Sequence, residues 1–319
     1  MAAKNKTKTV SPRYFTIGNI TLDDIVLRDG TVRLGAFGGG AIYSAAAAKM
    51  WSSDPGSVGV VSRIGPDYPQ ENILMLEGAG LDIEGIRRVE LPNIRVWLLY
   101  EENKKRQIVF HIDSGRSPEL DPKSNEIISK YLGASFVHVA PMAVSSQVDI
   151  MHRLHEKGIP FSLDLAIVGE EVNPKEILAN DGLKYCRVFL PSLQEVQAIW
   201  GDQPVENALK EIAKCGPRAI AIKIGDQGSF VFDAFSQKGF HVPAASVDVV
   251  DTTGAGDAFC GGFMVGYHLT GDALEAGLYG TISASYAIQG YSAWDMLQTD
   301  YSDVHQRLSQ LRNKVNQII

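Results

Sequence analysis

From Ala134 to the end, the chain alternates two patterns that few architectures satisfy together. "ASFVHVAP" (Ala134 to Pro141) is a short apolar, β-branched run bounded by turn residues, and it reads as a buried strand. "SSQVDIMHRLHEKG" follows with helical spacing, Val148, Met151 and Leu154 on one side and Gly158 as the stop. "IPFSLDL" is the next strand; "RVFLPSLQEVQAIWG" is a strand, a break at Pro191 and a helix ending near Gly201. "RAIAIKIG" and "GSFVFDA" are strands, and "AFCGGFMVGYHLTG" and "ALEAGLYGTISASYAI" are helical. Strands that alternate with helices predict a mostly parallel sheet covered on both faces. Such sheets bind ligands beyond the carboxyl ends of their strands.

Two early segments break the rhythm. "IRVWLLYEENKKRQIVFHID" is a pair of apolar runs around a charged tip, the pattern of a β-hairpin. "LDDIVLRDGTVRLGAF" reads as a second short β pair turning at Asp29-Gly30. Together they predict a small sheet outside the main one, either a lid or a plain edge decoration. An apolar face on such a sheet needs a partner surface.

Bulk properties remove several functions. The 319 residues allow one large domain, or a large one with a small appendage. With a net charge of −7 and no basic stripe, a nucleic-acid or anionic-membrane partner is not expected. No apolar run reaches the roughly 18 residues of a membrane span. The polar, basic start "MAAKNKTKTVSPR" reads as a frayed tail rather than a secretory signal. Cys186, Cys215 and Cys260 have neither metal-ligand spacing nor an even disulfide count, which suits a reducing cytoplasm.

"DTTGAGDAFCGGF" (Asp251 to Phe263) is the most specific stretch. It follows the strand-like "SVDVV" and opens a helical run. A glycine turn at a helix start aims free backbone N–H groups and the positive end of the dipole at one spot. Gly254, Ala255 and Gly256 leave room there for a phosphate, although the chain has no GxxxxGK[ST]. Asp257, in the first turn, is either a helix cap or a base that takes a hydroxyl proton as the oxygen attacks phosphorus. "GAFGGGAIYSAAAAKM" (Gly35 to Met50) lacks the G-x-G-x-x-G spacing. It reads as a close-approach surface for a small polar ligand, or as plain helix packing through Ala45 to Ala48. "IGNITLDD" (Ile17 to Asp24) reads as a strand running into a turn, where a carboxylate can grip sugar hydroxyls.

Together these stretches resemble the ribokinase-type (PfkB) carbohydrate kinase family from about Tyr14 to Leu297. The carriers are "DTTGAGDAFCGGF", "GGGAIYSAAAA", "IGNITLDD", "VSRIGPDYP", "LPSLQEVQAIWG" and "IAIKIGDQGSFVF", in that family's order. The resemblance implies a three-layer ribokinase-like α/β fold, a mostly parallel sheet flanked by helices, with a small β-sheet lid. It places a kinase domain at 12–300, lid segments at about 22–37 and 92–113, and a C-terminal helix packing on the core at 301–319. It implies Asp257 as base, with the amides of Gly254, Ala255, Gly256 and Asp257 as anion hole. Asp23, Gly38 and Gly39 match substrate-binding positions, and Tyr43 stands where many sugar kinases have Asn. Glu195 matches the acid tied to a magnesium–water network, and the Asn usual before it is Ser192. Gly225 and Gly228 match the nucleotide-side turn, and Ser292 falls where a glycine often lines the adenine pocket. Asp251 and Thr252 begin the signature, where some members bind a monovalent cation such as K+.

Lys223 ends a strand before Gly225, where it can reach a nucleotide phosphate or lie exposed. Asp164 ends a strand on the ligand side, and Arg116 follows the lid hairpin. His111 and His138 read as packed residues. Trp97 and Tyr100 could cover a substrate or bury the lid against a second subunit as a homodimer. The expectation is an ATP- and Mg2+-dependent kinase acting on a hydroxyl, primary by preference, of a sugar or polyol. A nucleoside or inositol kinase is the alternative within the family, with Tyr43, Trp97 or Phe110 as an aromatic slot. A ligand-binding regulator without turnover, and more remotely a hydride-transferring oxidoreductase, are the readings from other classes.

Overall fold

The computed structural model describes residues 11–52, 54–101, 106–165, 176–179 and 182–319. The first ten residues of the basic tail, and residues 102–105 of the charged hairpin tip, lie outside the described residues. The strands are β1 (Tyr14–Ile17), β2 (Thr21–Val26), β3 (Val32–Gly38), β4 (Val58–Ile64), β5 (Asp82–Arg88), β6 (Ile94–Tyr100), β7 (Arg106–Phe110), β8 (Phe136–Val139), β9 (Phe161–Leu163), β10 (Val188–Phe189), β11 (Ala219–Lys223), β12 (Ser229–Asp233), β13 (Lys238–Val242) and β14 (Asn316–Gln317). The helices are α1 (Gly40–Met50), α2 (Gln70–Gly78), α3 (Val144–Glu156), α4 (Glu176–Ala179), α5 (Leu193–Trp200), α6 (Val205–Lys214), α7 (Ala255–Thr270), α8 (Ala273–Ala287), α9 (Ala293–Gln298) and α10 (Val304–Arg312).

Ten strands form one sheet in the order β14-β13-β12-β11-β10-β9-β8-β1-β4-β5. From β11 to β5 every neighbouring pair is parallel, and β12 to β14 extend the other edge antiparallel. Successive residues of these strands feed opposite cores, because side chains alternate across a pleated strand. Tyr14, Val60, Phe136, Val188, Ala221 and Val231 join the apolar cluster under α1, α2, α7, α8, α9 and α10. Phe15, Val61, Val137, Phe189, Ile220 and Phe232 join the cluster under α3, α5 and α6. Both faces are thus dry, and the strands read as continuous apolar runs for that reason.

The second sheet has four strands in the order β3-β2-β6-β7, with the hairpin β6–β7 antiparallel and β2–β6 parallel. It carries its own small core of Ile25, Ile94, Val96, Leu98 and Leu120.

Three expectations need correction. "SVDVV" forms no strand: residues 243–249 are irregular. Val249 and Val250 are exposed, and Val250 N bonds only to Ile288 O at the end of α8 (2.8 Å). Asp23 and Asp24 lie within β2 rather than in a turn, because β2 pairs with both β3 and β6. The helix expected at 301–319 is α10, packed on the core through Val304, Leu308 and Leu311, but it is shorter than expected, and the chain beyond it forms β14 against β13.

Candidate active site

The carboxyl ends of four strands meet at one opening. β8 leads to Pro141, β9 to Asp164, β10 to the Ser192 turn and β11 to Lys223. These residues, with Glu195, Gly225, Thr252 and Gly254 to Asp257, line a cavity of about 530 Å3. Lys223 N donates to Pro191 O (2.8 Å), which ties the β11 end to the turn before α5. Ser192 caps α5 reciprocally: Glu195 N donates to Ser192 Oγ (3.3 Å) and Ser192 N to Glu195 Oε2 (2.6 Å). That box fixes Glu195, which is buried, at the cavity wall.

α7 starts at the cavity. Its N-cap, Gly254, has φ +74°, and a Cβ there would enter the Tyr43 ring, so glycine is needed both for the turn and for the contact. The cap carries no side-chain hydrogen bond. The turn is braced one step earlier by Asp251, whose Oδ1 accepts from Thr253 N and Thr253 Oγ1 (both 3.0 Å). The plain turn-capping role therefore falls to Asp251, and Asp257 is left facing the cavity. Ala255 N already donates to Thr252 O (3.3 Å), so Gly256 N and Asp257 N are the better placed donors for an anion.

The first glycine cluster comes to the same place from α1. A Cβ on Gly38 would strike the Asp23 carboxylate, and one on Gly40 would lie 2.9 Å from Asp257 Oδ1. Gly39, between them, has φ +103° and crowds Asn19 O and Ile20. Two acids from distant parts of the chain therefore rest on neighbouring glycines. α1 and α7 are held together by close contact: Ser44 Oγ donates to Asp257 O (2.9 Å), and Gly261 lies against the Ser44 carbonyl.

The electrostatics are dominated by buried acids. Burial first, then the Asp164 charge, raises Asp257 to about 6 against the opposing pull of Lys223 and Arg106. Burial and Asp164 likewise raise Glu195 to about 7. Burial lifts Asp23 to about 7, with the charges of Asp251 and Asp257 adding to it. Asp164 is raised by burial although Lys223 is paired to it. Burial by itself would lower Lys223, but Asp164, Cys260 and Glu195 hold it raised. Cys260 Sγ lies 3.5 Å from Lys223 Nζ and 3.4 Å from Asp164 Oδ2.

Of the residues singled out in the sequence, Asp257, Gly254, Ala255, Gly256, Lys223, Gly225, Thr252 and Glu195 line the cavity, and Asp23, Gly38, Gly39 and Tyr43 adjoin it. Gly228, φ +99°, closes the turn between β11 and β12 against Val242 and Pro243 and does not line the cavity. Ser292 does not line it either; its hydroxyl accepts from Asp295 N (3.3 Å) as the cap of α9. Arg116 stacks on Phe110 (4.1 Å) and donates to nearby backbone carbonyls. Trp97 lies opposite Asp24, on the other face of the lid from Asp23, stacked on His111 at 5.0 Å. It therefore cannot form an aromatic slot beside Asp23. His138 is fully buried and bonds Ser162 Oγ (3.0 Å).

Asp164, Arg106 and Tyr68 also belong to this site or its border. Asp164 had a signal, an acid at a strand's carboxyl end. Tyr68 is buried with an unpartnered hydroxyl, and its charge interaction is with Asp23. Arg106 lines the cavity but was hidden in a run of charges whose register only the hairpin sets.

Residues 19–300 match the pfkB family of carbohydrate kinases. A cytidine kinase of Thermococcus kodakarensis is 27% identical over 253 residues, covering 79% of this chain and 87% of that one. A deoxyribokinase of Salmonella typhi is 25% identical over 284 residues, covering 86% and 87%. The structure of Arabidopsis thaliana ribokinase, complexed with ribose and ATP, superposes with TM-score 0.72 at 20% identity over 93% of this chain and 99% of that one. The chain belongs to the pfkB family and is an ATP-dependent carbohydrate kinase, a phosphotransferase with an alcohol group as acceptor.

Proposed function

We propose that the acceptor is a pentose-type sugar, free or carried in a nucleoside, that Asp23 holds it, and that Asp257 is the base. The observation that carries this reading is the pair of carboxylates on Gly38 and Gly40, with Asp257 also facing the donor cavity. Asp23 accepts hydrogen bonds from acceptor hydroxyls, and the attacking hydroxyl lies toward Asp257. Its oxygen bonds to the γ-phosphorus as its proton passes to Asp257. The bond from that phosphorus to the bridging oxygen breaks, and the electron pair leaves with ADP. Gly256 N and Asp257 N donate to the transferring oxygens, where fixed dipoles contribute most to catalysis. Among the described residues no group of three His, Cys, Asp or Glu can hold a metal ion alone. Asp164 and Glu195 are the acids that would hold Mg2+, through water, with the phosphates supplying its other ligands. Those two buried acids repel each other and suit a nearby cation. When bound, Mg2+ offsets the charge of the phosphate oxygens. Asp251 Oδ2 is buried without a partner, and we assign a monovalent cation such as K+ to it.

The lid face bearing Trp97 and Leu99 also carries the exposed Val32 and Val109, and it is proposed as a homodimer face. Among the described residues no helix is long and apolar enough to cross a membrane.

ADP release with ATP and Mg2+, across pentoses, hexoses, polyols, inositols and nucleosides, tests the assignment. Turnover of a pentose or nucleoside that Asp257→Asn removes is expected. Silence with ATP binding intact would favour the regulator reading; turnover of inositols or hexoses alone would overturn the acceptor class.

A further inference from the structure

We infer that Arg106 is a catalytic residue of the lid, whose guanidinium binds the transferring phosphoryl group; the inference rests on the kinase reading above. Three placements converge. Arg106 lines the same cavity as Lys223, Gly256 and Asp257. It stands opposite Tyr100 across the β6–β7 hairpin, and so shares a face with it. Tyr100 in turn bonds Thr253 Oγ1 (2.7 Å) inside the Asp251 to Asp257 turn, which seats this edge of the lid over the start of α7. The positive charge of Arg106 also acts on both Asp23 and Asp257, favouring their ionised forms.

The cavity's charge balance gives the residue its task. Its two cations are Lys223 and Arg106. Lys223 is committed to Asp164. The Arg106 side chain forms no hydrogen bond or ion pair with any described residue, whereas other lid arginines are occupied: Arg95 by Asp24, Arg33 over Tyr291 and Arg116 over Phe110. A cation left unpaired beside three acids is placed for an anionic ligand. As the acceptor oxygen bonds to phosphorus and the bridging bond breaks, negative charge spreads over the three outer phosphoryl oxygens. A planar fork of N–H donors matches two of them at once. The lid thus contributes charge to the reaction as well as excluding water.

The test is Arg106→Met and Arg106→Lys, assayed beside wild type and Asp257→Asn with the best acceptor found. Arg106→Met should lower kcat on the order of 10²- to 10³-fold, with the KM for the acceptor nearly unchanged. Arg106→Lys should recover part of the loss, and added guanidinium ion should restore part of the Met variant's rate. Independently of turnover, the Met variant should bind ADP as wild type does but ADP with aluminium fluoride, which mimics the transferring group, at least about tenfold more weakly. A kcat within about threefold of wild type overturns the inference. So does a rise in acceptor KM alone, which would assign Arg106 to the acceptor. If the Met variant does not fold, Arg106→Lys is judged by the same kcat and aluminium fluoride readouts. If wild type transfers no phosphoryl group, the kinase reading falls and takes this inference with it; if only Arg106→Met is normal, the inference falls alone.

Discussion

Asp23 and Asp257 carry opposite demands of folding and chemistry on single side chains. The proposed role of Asp257 as base requires it to be ionised at neutral pH, and a carboxyl raised by burial to about 6 meets that requirement. Asp257→Asn should lower kcat by at least about 10³-fold without loss of fold, and the acid limb of wild-type kcat/KM should fall near pH 6. Circular dichroism and an ADP-release pH series check both. Asp23 is raised from an unfolded value near 3.9 to about 7, so the folded state binds its proton more tightly than the unfolded chain does. Its stabilising contribution is whole below about pH 4 and is lost as pH rises through 7. Asp23→Asn should therefore raise stability at pH 8, by up to about 4 kcal/mol, and change little at pH 4, while abolishing acceptor turnover. Equal denaturation midpoints for the two proteins at pH 8 would refute the assignment of Asp23 as a buried, strained acid.

At the scale of elements, helix starts do most of the positioning. α7 begins where Gly254 takes a left-handed turn against the Tyr43 ring. Gly254→Ala should cost about 1–3 kcal/mol in a urea titration and remove activity, because the amides beyond it would lose their aim. α5 begins with the box between Ser192 and Glu195. Ser192→Ala should cost about 1 kcal/mol and lower kcat by loosening Glu195; unchanged kcat would show that the cap serves stability alone. The start of α7 was legible, since a run of small residues opening a helix is a local signal; the cap of α5 by Ser192 came from the structure. The strand expected before Asp251 did not form: "SVDVV" has the β-branched composition of a strand, but the segment runs irregular and its end bonds to the end of α8, Val250 N to Ile288 O.

In the whole molecule, the sheet's two dry faces, the lid and the order of strands decide what meets at the cavity. If the outer lid face pairs two copies, Val109→Glu should convert a dimer to a monomer in sedimentation velocity; a wild-type monomer at assay concentration would remove that proposal. Strand–helix alternation and the two glycine stretches were readable because their causes are local: periodicity of burial, turn conformations and free helix amides. Those signals determined the α/β class, the small second sheet and the two glycine-lined helix starts. Only the tertiary structure set Asp23 and Asp257 on neighbouring glycines, spent Lys223 on Asp164, turned Trp97 away and brought Arg106 over the cavity. Each of those depends on which strands pair and in what register, and a contact between residues on different elements leaves no mark in the local sequence that makes it.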